Sequence, residues 1–128
     1  MFSHLTVGSN DIAKAKAFYD GVTAPLGLVR HADYPEAVAY SHTPGSRPQL
    51  WIVRPLDKKT ASVGNGITIG LEAENRSAVD AAYAAAIKAG GKDEGAPGIR
   101  KHYHPNYYGA YLRDPDGNKI CVVCHKPA

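Results

Sequence analysis

The chain has no apolar run long enough to cross a membrane, and no basic segment precedes an apolar one in its opening residues MFSHLTV. No membrane span or secretory leader is therefore predicted, and a cytoplasmic protein without membrane partners is expected. Cysteine is scarce: Cys121 and Cys124 are the only two. On a strand, residues three apart point to opposite faces, which argues against a disulfide between them. A redox C-x-x-C needs a helix start after a strand, and this pair lies within an apolar run. Both are expected to be reduced, buried thiols. A large charge excess is also missing. The 15 Lys and Arg exceed the 12 Asp and Glu by only three. Lys58-Lys59 and Arg100-Lys101 are isolated pairs, not a basic stripe, so nucleic acid is not an expected partner. Finally, Asp20, Glu72 and Asp80 show no spacing that would mark a carboxylate pair for acid–base work.

What the chain does have is a hairpin signal near its end. Tyr107–Leu112 and Lys119–Val123 are rich in aromatic and β-branched residues, and Asp114-Pro115-Asp116-Gly117 joins them. Pro115 pre-sets its φ, and Gly117 supplies the positive φ that closes the turn. At 128 residues and 44% hydrophobic content, one domain with its own core is expected.

Read in order, Phe2–Gly8 is predicted as a strand with His4 and Thr6 on one face. Asn10 or Asp11 caps a helix whose apolar stripe is Ile12, Ala15, Phe18, Val22 and Leu26, with Pro25 in its last turn and Gly27 at its end. Strands are predicted over Gly27–His31, Glu36–His42 and Gln49–Arg54. A polar segment from Pro55 to Gly66 follows, and then the pattern restarts. Ile67–Ala73 reads as a strand. Asn75 or Ser77 caps a second helix with the stripe Val79, Ala82, Tyr83, Ala86 and Ile87, ended by Gly90-Gly91. Glu94–Pro105 reads as loop with a short strand over Ile99–His104, ahead of the closing hairpin. The order is βαβββ twice: repeat one over about residues 1–56, a linker over about 57–65, and repeat two over about 66–128. The fold class is α+β, two βαβββ repeats forming a curved mixed sheet with a concave interior and the helices outside. A plain two-layer sandwich without a cleft is the alternative.

Several stretches carry a family likeness: S-H-L-T-V at Ser3–Val7, A-K-A-F-Y-D at Ala15–Asp20, L-G-L at Leu26–Leu28, and above all D-P-D-G-N-K-I at Asp114–Ile120. By these the whole chain resembles the vicinal oxygen chelate superfamily, which includes glyoxalase I, extradiol dioxygenases and bleomycin-resistance proteins. The resemblance implies four cleft positions, two per repeat, that hold a divalent metal in the metal-dependent members. They fall here on His4, Gln49, Gly66 and Cys121. Gly66 has no side chain, and Cys121 stands where the family usually has Glu. The remaining set of His4, Gln49 and Cys121 carries no carboxylate and suits zinc better than a harder metal.

The loop Gly98–Tyr108 is dense in His, Tyr and Arg. If His102 and His104 are extended they share a face, but no third metal ligand lies nearby. This loop precedes the strand that lines the family's cleft. Arg100, His102, His104 and Tyr107, with Trp51 from the first repeat, are therefore candidates to bind a small anionic or aromatic ligand.

The expected function is that of a glyoxalase-like protein acting on or binding a small molecule in the cleft, without the full family metal site. One alternative is a metal-dependent enzyme of the lactoylglutathione-lyase type, with His4 as metal ligand or catalytic base. Another is an antibiotic-sequestering binding protein of the bleomycin-resistance type. The resemblance also implies a homodimer.

Overall fold

Both helices begin where a side chain can satisfy their first free N–H groups. Asp11 accepts from the Lys14 N–H at 3.0 Å and opens α1 (Ile12–Thr23), and Asn75 accepts from the Ala78 N–H at 2.9 Å and opens α2 (Arg76–Lys88). The computed structural model describes residues 1–128. The first apolar stripe is divided between two structures. Pro25 cannot donate to a continuing helix, so Ala24–Leu26 tighten into a 3₁₀ turn, and Gly27 at φ 75° takes the chain out.

The strands are β1 (His4–Gly8), β2 (Val29–Tyr34), β3 (Ala37–Ser41), β4 (Gln49–Val53), β5 (Ile69–Glu72), β6 (Lys92–Ile99), β7 (Tyr108–Arg113) and β8 (Lys119–Cys124). The βαβββ order occurs twice. One four-stranded sheet has the order β1-β4-β3-β2 and the other β5-β8-β7-β6. In each, the strand before the helix pairs parallel to the last strand of its repeat, and the remaining pairs are antiparallel. The sheets are mixed, as expected, but they share no hydrogen-bonded edge.

A common core joins them. Ala15, Phe18, Tyr19 and Val22 of α1 and Val79, Ala82 and Ala86 of α2 belong to one buried cluster with Val38, Tyr40, Leu50 and Ile52 of the first sheet and Ala110, Leu112, Ile120 and Val122 of the second. Small residues let the helices approach: a Cβ added to Gly21 would lie 3.5 Å from that of Ala85. Each large aliphatic or aromatic side chain withdrawn from water here contributes about 1.5–3 kcal/mol.

The hairpin turn forms as its residues dictate. Gly117 has φ 93° and donates its N–H to the Asp114 carbonyl at 2.9 Å. The Asp114 side chain is buried. It accepts from the N–H groups of Asp116 and Asn118, from the Asn118 amide, and from the Tyr19 hydroxyl at 2.6 Å. That last bond ties α1 to the far repeat. Burial first, and then the Asp114 charge, raise the Tyr19 phenol well above its usual value.

Two expectations need correction. The strand of this region is β6 at Lys92–Ile99, not Ile99–His104. Its register on β7 slips between Asp93 and Gly95 and again between Gly95 and Gly98, bulges that glycine permits. Arg100–Tyr103 is a turn, closed by the Tyr103 N–H on the Arg100 carbonyl at 3.0 Å, so His102 and His104 do not share a strand face. Ile67 lies ahead of β5 and is 61% exposed, so the inward stripe of that strand starts at Ile69.

Candidate functional site

Each sheet has one face covered by its helix and one that is not. Alternation along the strands decides which residues occupy the open face. On the first sheet these are His4 and Thr6 of β1 and Gln49, Trp51 and Val53 of β4, which together line a shallow depression. His4 pairs with Gln49, and Thr6 with Trp51. The Trp51 indole donates to Gln49 Oε1 at 2.9 Å, and the His31 ring meets Trp51 edge-on at 6.0 Å. On the second sheet Cys121 is opposite Tyr111 on one side and Gly70 on the other. Cys124 sits in the core instead, so the two thiols do point to opposite faces, and both are free.

The Tyr107 hydroxyl is the hub of the second open face. It lies 2.7 Å from the Tyr111 hydroxyl and 3.4 Å from Cys121 Sγ. Burial is the main cause that raises both phenols above their usual value, and hydrogen bonding follows. For Tyr107 that bond is with Cys121, and for Tyr111 it is with Tyr107. The Tyr107 ring packs on Tyr103, His104 and His125. His104 Nδ1 accepts from the Asn106 N–H at 3.1 Å, so in a neutral ring Nε2 carries the hydrogen and donates it to His125 Nδ1 at 2.8 Å. His102 lies on the exposed Tyr103 ring, 4.2 Å between centroids. The guanidinium of Arg100 lies over Tyr111, 5.8 Å from its centroid, and the ammonium of Lys119 lies 5.5 Å from the same ring. Tyr107, His104 and Arg100 thus share one cluster, while Trp51 belongs to the other sheet.

The two cap residues align the repeats. His4 stands seven residues ahead of the cap Asp11, and Thr68 stands seven ahead of the cap Asn75. Thr68, not Gly66, is therefore the second repeat's counterpart of His4; Gly66 is in a turn at φ 96°. Leu5 pairs with Leu50 and Ile69 with Ile120, so Lys119 corresponds to Gln49 and Cys121 to Trp51.

These residues do not fit a divalent metal. The Gln49 oxygen, its coordinating atom, already accepts from Trp51. His4 Nδ1 is 2.6 Å from Ser3 Oγ, which leaves one ring nitrogen. Cys121 is buried on the other sheet beneath Tyr107. No three His, Cys, Asp or Glu side chains gather anywhere in the chain with metal-binding geometry.

A cavity of about 310 Å³ opens between β1 and β4 of one sheet and β5 of the other. Its walls are mostly apolar, among them Phe2, Leu5, Leu50 and Leu71, and His42, Gln49 and Glu72 supply polar groups. Of the residues singled out from sequence, Gln49 alone lines it. His42 and Glu72 carry no motif, and only the packing of the two repeats brings them together. Tyr111 and Lys119 were within reach of sequence reasoning, since the register of the hairpin puts them on the face of Cys121.

A family model described as the glyoxalase/bleomycin resistance protein/dioxygenase superfamily matches residues 1–122. The chain is 39% identical to a glyoxalase/bleomycin resistance protein from Albidiferax ferrireducens, with a TM-score of 0.86 and 99% of each chain covered. A glyoxalase/bleomycin resistance protein/dioxygenase family enzyme from Burkholderia phytofirmans is similar in fold, with a TM-score of 0.71 at 22% identity over 97% of this chain and 98% of that one. A lactoylglutathione lyase from Agrobacterium tumefaciens also shares the fold, with a TM-score of 0.65 at 19% identity over 97% of this chain and 92% of that one. No curated protein matches. No helix is long and apolar enough to cross a membrane.

Proposed function

Because the chain belongs to the glyoxalase/bleomycin resistance protein/dioxygenase superfamily, we propose that it binds a small organic molecule between its repeats, without a resident metal at the family's chelating positions. The observation that carries this reading is the cavity of about 310 Å³ between the two sheets. A mostly apolar hollow with a few convergent polar groups, at a junction of structural units, is the usual form of a small-molecule site, and volumes of roughly 300 Å³ and above suffice. Leu5, Leu50 and Leu71 offer an apolar lining, and His42, Gln49 and Glu72 offer hydrogen bonds that orient an occupant. The donor chemistry of His4, Gln49 and Cys121 supports the metal-independent part. A neutral amide and a buried thiol on separate sheets are poor partners for a hard divalent ion. This weighs against a metal-dependent lyase in which His4 acts as ligand or base.

The test is a thermal-shift screen of protein dialysed against a chelator, using small acids, phenols and antibiotics. Trp51, the single tryptophan, reports occupancy near Gln49 by fluorescence. Stabilisation of about 1 kcal/mol or more at saturating ligand, unchanged by added zinc, is the expected result. Stabilisation only with stoichiometric zinc would overturn the metal-independent reading. No stabilisation by any compound would overturn the binding reading. The open sheet faces also support pairing with a second copy of the chain, which sedimentation velocity checks.

A further inference from the structure

We propose that the open face of the second sheet is a separate anion-binding site. Arg100, Tyr111 and Lys119 would there receive the carboxylate of a small aryl acid. Two cations share one phenol ring, both within the range of a cation–π contact. Neither has a carboxylate partner in the fold, whereas the neighbouring Arg113 is already paired with Glu94. Glu72, the other carboxylate on this face, is at the far end of β5. Like charges drawn to one ring repel each other, and an anion brought to them offsets that cost.

The Arg100 guanidinium is also held in place. It donates to the Ala96 carbonyl at 2.9 Å. A Cβ built on either Gly95 or Gly98 would come within 3.1 Å of its nitrogens, so two glycines make the room in which it lies. A flexible surface arginine has no such bed. Guanidinium and ammonium together suit a carboxylate, and the exposed Tyr103 ring, tilted against Tyr107, offers an aromatic surface for the ring of the acid.

The repeat sharpens this assignment. Lys119 occupies the position that Gln49 has in the first repeat, so the chain itself supplies a fixed positive charge where the other half has an amide.

The experiment is a benzoate titration followed by amide chemical shifts, with benzamide as the neutral isostere and inorganic phosphate as a second anion. Benzoate is expected to shift residues of β7 and β8 around Tyr111 and to bind at least tenfold more tightly than benzamide. Lys119→Gln is expected to weaken benzoate about tenfold. Gly98→Ala, which crowds Arg100 without changing any charge, is expected to weaken it several-fold. Unchanged thermal midpoints in both variants would establish that the loss is local. Equal binding of benzamide, or benzoate binding unaffected by Lys119→Gln, would overturn the proposal. So would shifts confined to the Leu5–Leu71 cavity, an outcome that leaves the proposed function intact. Phosphate competing as strongly as benzoate would overturn the aryl-acid assignment.

Discussion

The two repeats share an order of elements, a capping scheme and a sheet register, yet they differ in how they bury and in what they expose. The first contributes a helix with large aromatic groups, Phe18 and Tyr19, and an open face of His4, Gln49, Trp51 and His31. The second contributes an alanine-rich helix and an open face of phenols, a thiol and unpaired cations. The contrast teaches that backbone symmetry does not carry side-chain chemistry with it. Big residues on one helix need small ones on the other, so the halves became complementary instead of alike. Their exposed faces, free of that packing constraint, diverged further.

The sharpest test of complementarity is Asp114→Ala. It leaves the Tyr19 hydroxyl and the Asn118 amide without their buried acceptor, and a loss of about 3–5 kcal/mol in chemical denaturation is expected. The counterpart change at the half-buried Asp20, which accepts from Tyr40 and Arg30 within the first repeat, is expected to cost less than half of that.

Alkaline pH probes the same contrast. Tyr19 and Tyr40 are buried, and both phenols are raised, by burial first and then by Asp114 and Asp20 respectively. Their contribution is fully present below the unfolded phenol value of about 10 and is lost as the pH rises beyond it. Stability is expected to fall by about 1.4 kcal/mol for each phenol at one pH unit above that value, as equilibrium unfolding near pH 11 would show. Tyr40→Phe should remove its own share, about 1.4 kcal/mol, of that fall.

Gly91→Ala is the next largest. A Cβ there would meet the Ala86 carbonyl and the Phe18 ring at 2.8 Å, so about 1–3 kcal/mol of overpacking is expected, read as a lowered thermal midpoint. Gly70→Ala is the smallest. Its Cβ meets nothing within 4 Å on the open face of β5, and stability is expected to stay within about 1 kcal/mol of the parent. Since Gly70 lines the cavity between the sheets, the same variant is expected to weaken any ligand held there. A large stability loss at Gly70, or none at Gly91, would break the picture of one tight helix interface and two free faces.

Much of this was legible in the residues. The caps, the turn glycine, the alternation of β1, β4 and β8 and the opposite outlook of the two cysteines follow from local chemistry. The repeat follows from the order of those signals. The β6 strand was not legible, because Gly95, Pro97 and Gly98 look like loop; only pairing with β7 makes a strand of them, through two register slips. The site is less legible in the residues than the fold. The family resemblance puts His4, Gln49 and Cys121 forward as candidates, but it places the second repeat's first position on Gly66, two residues short of Thr68, because the apolar signal starts at Ile67 and the strand only at Ile69. His42, Glu72 and His125 carry no sequence signal, because each acquires its neighbours only through tertiary packing.

The bond from Tyr19 to Asp114 spans 95 residues of sequence, and its acceptor belongs to the most self-contained motif in the chain. A tight turn is ordinarily a local affair whose damage stays local. Here the residue that folds the turn also fastens the opposite helix, so the two halves are expected to melt as one body. Severing the polypeptide in its linker would yield two fragments that recover structure only when mixed.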